Sequence, residues 1–126
     1  MSYTIRSIDD LPAKFHGVVR LAGAELGVES FGLQVLDLPP NFTDYPAHDH
    51  AEDGQEEVYV VLRGAAEAEV DGERMDFAAG QILWVGAGTR RGFETGSEGV
   101  RLLVIGATPG RLYERPDDFR LEEARS

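Results

Sequence analysis

The chain has 126 residues, enough for one domain with one modest core, expected to span residues 1–126. Its 12 Lys and Arg against 23 Asp and Glu leave a net charge of −11, which argues against nucleic acid or an anionic membrane as partner. There is no cysteine, which excludes disulfides, thiolate metal sites and thiol catalysis. No apolar run approaches the roughly 20 residues of a membrane span. The N-terminus lacks a basic start followed by an apolar stretch, so the expected compartment is the cytoplasm.

The first thirty residues read two ways. Phe15, Val18, Val19, Ala22 and Leu26 fit a helical period, Gly17, Gly23 and Gly27 oppose it, and residues 18–21 also suit a strand. From Phe31 the pattern sharpens: residues 31–38 predict a strand closed by Pro39-Pro40-Asn41, and a turn-rich loop follows to Pro46. Residues 57–63 predict a strand stopped at Gly64. Residues 65–70 and 73–77 predict a hairpin around Asp71-Gly72, a pair suited to the positive φ of a type I′ turn. Residues 81–85, 89–95 and 99–106 predict three more strands, set off by glycine-rich turns. An acidic tail follows, in which residues 116–125 suit a short helix. No helix separates the strands of this series, so the prediction is an all-β sandwich or barrel and not a doubly wound fold.

Two of the three histidines stand in His48-Asp49-His50. In an extended chain residues i and i+2 share a face, so two imidazoles would lie side by side. In the next strand Glu57, Tyr59 and Val61 share one face, and Val58, Val60 and Leu62 the other. With Glu57 turned to the histidines, the three make a two-histidine, one-carboxylate set that leaves metal positions open. Glu56 is the competing ligand. His16 is expected at the surface, Trp84 in the barrel wall or rim, and Met75 and Phe77 in the core.

His48-x-His50, followed by Glu57 and by Gly64 after six further residues, resembles the first motif of the cupin superfamily, G-(x)5-H-x-H-(x)3–4-E-(x)6-G. The run from Gly80 through Gly86-Ala87-Gly88 to Arg91 resembles the second, G-(x)5-P-x-G-(x)2-H-(x)3-N. The resemblance implies an all-β, double-stranded β-helix barrel of jelly-roll type with a core at about 31–106, a short C-terminal extension and a homodimer. It implies a divalent transition metal (Fe, Mn, Ni or Zn) on His48, His50 and Glu57. The departures are specific. Phe42 stands where the motif has its first glycine, six residues separate His50 from Glu57, and Gly86 replaces a proline. Arg91 stands in the place of the fourth ligand and Thr95 in that of the asparagine. A guanidinium cannot coordinate a metal, so the usual three-His, one-Glu set cannot form.

Two readings follow. Either the chain is a metal-dependent dioxygenase or isomerase acting on a small organic molecule, with Arg91 holding an anionic group and Tyr59 and Phe93 lining the pocket. Or it is a metal-free, non-catalytic small-molecule binding or sensor module.

Overall fold

The computed structural model describes residues 2–121. Its strands are β1 (Ala13–Lys14), β2 (Val19–Arg20), β3 (Gly32–Leu38), β4 (Glu56–Val70), β5 (Glu73–Ala78), β6 (Ile82–Val85) and β7 (Arg91–Ala107), with one short helix, α1 (Ala22–Leu26). This is the expected jelly-roll β fold. β4 and β7 form its spine, antiparallel from Glu56 opposite Ala107 to Val70 opposite Arg91. β6 flanks the first half of β4, and β5 its second half. On the other side β7 carries β3, then β2 and β1.

Both spine strands run on where the sequence suggests a break, one at Gly64 and the other at Gly96-Ser97-Glu98, just before Gly99. Gly64 has φ +78° and the ladder shifts register around it, while Gly99 has φ +68°. A Cβ on Gly64 would lie 2.2 Å from the Gly99 carbonyl oxygen. The two backbones touch where both strands bend, and no side chain fits between them. Each glycine is therefore a bulge that folds the ladder over, not an end of it. The predicted pairs 57–63/65–70 and 89–95/99–106 are thus two continuous strands.

Alternation along these strands fills the barrel. Tyr59, Val61, Ala66, Ala68, Phe77, Val85, Phe93 and Leu102 are all buried in one cluster. Each large apolar side chain so buried contributes about 1.5–3 kcal/mol. The ambiguous N-terminal stretch turns out to hold both alternatives. Phe15 and His16 take positive φ in the turn of the β1–β2 hairpin, and Gly27 caps α1 in the left-handed region. Leu11 and Ala22 then pack on Val35, on the outside of β3.

Three expectations are corrected. Trp84 lies on the outer face, 62 % exposed, because β6 pairs Trp84 with the outward Val58. Met75 has the inward parity expected of it, opposite Ala68, but β5 is an edge strand and leaves it 38 % exposed. Among the described residues the C-terminal stretch holds only a single 3-10 turn, Asp117–Phe119, and the last part of the expected helix, residues 122–125, lies outside the described residues. Among the described residues no helix is long and apolar enough to cross a membrane.

Candidate metal centre

The His-x-His segment is held against β7 by main-chain bonds. His48 N–H donates to the Arg91 carbonyl and Arg91 N–H to that of His48, both at 2.9 Å. Two residues on, His50 N–H donates to the Ala87 carbonyl at 2.7 Å. The extended backbone between them sets the two imidazoles on one side, ring centroids 5.1 Å apart. Glu57 enters from β4 with the inward parity it shares with Tyr59 and Val61. One ligand atom from each of His48, His50 and Glu57 falls within 4.8 Å of the others. Glu56 faces the other way and accepts a bond from Trp84 Nε1 at 2.6 Å.

The imidazoles are oriented from behind. His48 Nδ1 is 3.0 Å from the Pro46 carbonyl oxygen, and His50 Nδ1 is 3.2 Å from Asp53 Oδ2. Burial pushes the Asp53 carboxyl up, but the Gln55 N–H and His50 outweigh it and hold the group below the usual carboxylate range. Both neighbours are acceptors, so each neutral ring carries its proton on Nδ1 and a lone pair on Nε2. His50 Nε2 is buried, has no hydrogen-bond partner, and stands 3.5 Å from Glu57 Oε1. A buried lone pair facing a carboxylate is an arrangement that a cation relieves. The donor set therefore fits a divalent metal.

Glu57 is itself restrained. Its Oε1 accepts from the Tyr59 hydroxyl at 2.6 Å and from Arg91 Nη1 at 3.1 Å, and its Oε2 accepts from Gln55 Nε2 at 3.1 Å. By lone-pair count Oε1 is filled and Oε2 keeps one direction open. Burial, then the nearby Tyr45 and Glu57, push the Tyr59 hydroxyl far up, so it stays a proton donor. Burial and then the Glu57 charge raise Tyr45 to about 12. Arg91 is 0 % exposed, gives Nη2 to the Gly86 carbonyl at 3.0 Å, and leaves Nε without a partner.

A cavity of about 410 Å³ opens from these residues. His48, His50, Glu57 and Tyr59 border it, Phe42 and Leu36 form part of its apolar wall, and Tyr113, Pro116 and Phe119 of the C-terminal extension line it as well. Arg91 and Phe93 are not among its lining residues. Arg91 is bonded to Glu57, and Phe93 packs on Tyr59 and Tyr45 with ring centroids 4.8 and 5.5 Å away. Thr95 pins the β3–β4 loop, donating to the Pro39 carbonyl at 2.5 Å and accepting from Phe42 N–H at 2.8 Å.

Sequence reasoning overlooked Gln34, Gln55, Tyr45 and Tyr113. Gln34 had a signal, since it alternates with Gly32, Leu36 and Leu38 and so is polar at an inward position. Tyr113 had none, because it follows the last strand in an irregular stretch.

Residues 34–106 match the family model described as the cupin domain. The chain belongs to the cupin family. Among solved structures, this cupin is similar to a cupin protein from Bacteroides fragilis at 21 % identity, with 92 % of each chain covered and a TM-score of 0.69. It is similar to a protein from Photorhabdus luminescens at 15 % identity, covering 84 % of this chain and 87 % of that one, with a TM-score of 0.65. A predicted oxalate decarboxylase from Thermotoga maritima matches at 20 % identity over 74 % of this chain and 70 % of that one, with a TM-score of 0.55. These likenesses show the fold. The search of curated proteins gave no match to the chain.

Proposed function

We propose that this cupin holds a divalent transition metal, Fe, Mn, Ni or Zn, on His48, His50 and Glu57, and binds or transforms a small organic molecule in the adjoining cavity. The observation that carries the reading is the buried, unpartnered His50 Nε2 facing the Glu57 carboxylate. When bound, the metal would supply Lewis acidity or oxygen activation, the chemistry of a cupin isomerase or dioxygenase. The chain's own residues do the rest. Tyr59 and Gln55 fix the Glu57 carboxylate, Pro46 and Asp53 fix the imidazoles, and the C-terminal extension contributes part of the cavity wall.

Arg91 moderates the site. Its guanidinium offsets the Glu57 charge before any ion arrives, so the site binds metal more weakly than an uncompensated carboxylate would. The same contact favours a second reading, in which Arg91 takes the place of the metal and the protein is a metal-free binding or sensor module. An anionic ligand held by Arg91 has no support in this geometry, since the guanidinium is fully buried, points at Glu57 and Gly86, and does not line the cavity. Elemental analysis of untagged protein separates the two readings. About one ion per chain, lost in His48→Ala and His50→Ala, supports the first, and metal-free protein that takes up no added Mn or Zn supports the second.

The reading includes a cytoplasmic homodimer. Ile82 and Trp84 are 74 % and 62 % exposed on one outer face beside Val58 and Val60, a strip that a second copy would cover. Light scattering giving the mass of one chain would remove the dimer.

A further inference from the structure

The geometry points to Gln34 as the residue that selects the cavity's ligand, an uncharged and largely apolar molecule bearing one hydroxyl or amide group. This rests on the proposal that the cavity is a binding site, and not on the metal.

Gln34 lies on β3, opposite Val104 of β7, and borders the cavity. It is nine-tenths buried, and its Oε1 has no hydrogen-bond partner. Of the other polar side chains around the cavity, Gln55 bonds to Glu57, Glu57 accepts from Tyr59 and Arg91, and both histidines are held through Nδ1, while Asp44 and the Tyr45 and Tyr113 hydroxyls also border it. A metal would take up His50 Nε2. It would leave the Gln34 amide as it is. A buried amide oxygen without a partner costs about 1–3 kcal/mol, and a ligand group that bonds to it recovers that cost. The terminal torsion of glutamine is broad, so a turn of the amide presents either its oxygen or its nitrogen to the ligand. A hydroxyl or an amide answers both.

The rest of the lining fixes the class. Phe15, Phe42, Tyr45, Tyr113 and Phe119 supply aromatic surface, which suits a flat apolar body. The charged residues that line the cavity are Asp44, Asp53 and Glu57, with no lysine or arginine among them. Without metal, an organic anion meets only negative charge there. Gly32, on the same face as Gln34, keeps the closure tight, since a Cβ at that position would come within 3.1 Å of the Tyr113 hydroxyl.

The test uses chelator-treated full-length protein and three probes of one shape: naphthol, methylnaphthalene and naphthoate, measured by calorimetry at neutral pH. Wild type should bind naphthol and methylnaphthalene and bind naphthoate more weakly than either. Gln34→Leu should lower the naphthol-to-methylnaphthalene affinity ratio by about tenfold, the equivalent of one hydrogen bond. Gln34→Glu, which still accepts, should keep that ratio and serves if the leucine variant fails to fold. An unchanged ratio in Gln34→Leu overturns the proposal, as does naphthoate binding best or no probe binding at all. Mn titration of the same proteins keeps the metal reading separate. Metal uptake should survive Gln34→Leu, and its absence from wild type would leave the probe ratios readable.

Discussion

Among the described residues two arginines are buried, and their surroundings differ. Arg101 crosses the outer side of the sheet from β7 to β3. Its Nε and Nη2 reach the two oxygens of Asp37 at 2.6 and 2.9 Å, and Nη2 also reaches Asp9 at 2.8 Å. Asp37 takes a further bond from Arg20 Nε at 2.5 Å. This charge cluster is well satisfied, and it ties the N-terminal segment to the barrel. Arg91 lies inside the barrel, more deeply buried, with its Nε unpartnered and its one carboxylate shared with a tyrosine, a glutamine and a histidine edge. A closed ion pair acts as a clamp. An incomplete one beside a cavity leaves bonding capacity for something else.

The largest effect should come from breaking the inner pair. Glu57→Leu strands the Arg91 charge with only the Gly86 carbonyl, and should cost about 3–5 kcal/mol in urea unfolding. Adding Arg91→Met to it should recover most of that loss, since a buried pair replaced by apolar groups is often neutral. A double variant no better than the single would show that Glu57 stabilises the barrel by some other route.

Next comes the outer pair. Asp37→Ala should cost about 2 kcal/mol, less than the inner break because Asp37 is partly solvated. Burial pushes the Asp37 carboxyl up, but Arg101 and Arg20 outweigh it and hold the group below its ordinary range. A depressed carboxylate contributes stability that is full above the unfolded-state pKa and is lost as pH falls through the folded one. Wild type should therefore lose stability below about pH 4, and Asp37→Asn should flatten that acid limb. Equal acid limbs in thermal melts would remove Asp37 from the account.

Much of this contrast was written in the residues, and some was not. Parity in residues 57–61 placed Glu57 and Tyr59 inward, because strand alternation leaves no other choice once Val61 is core. His-x-His placed both rings on one side for the same reason. The joining of strands across Gly64 and Gly99 was not legible. A glycine with positive φ ends a strand or bends it, and only the partner backbone decides which. Nor was the exposure of Met75 and Trp84, since alternation gives a side chain's face but not whether that face is covered. Arg91 was legible as inward, while its engagement with Glu57 depends on contacts across two strands that are 34 positions apart.

Two smaller effects sharpen the comparison at the inner site. Arg91→Met removes the tethered cation and frees one lone-pair direction on Glu57 Oε1, so Mn affinity should rise about tenfold. Unchanged affinity would mean that the guanidinium does not moderate the site. Smaller still is Glu56→Gln, which should leave metal affinity within about twofold, because Glu56 faces Trp84 on the outside.

The most direct measurement is a calorimetric titration of Mn or Zn into chelator-treated wild type and His50→Ala. One ion per wild-type chain, and none in a folded His50→Ala variant, is the predicted result. Uptake that is absent from wild type, or equal in both proteins, would contradict a metal centre on His48, His50 and Glu57.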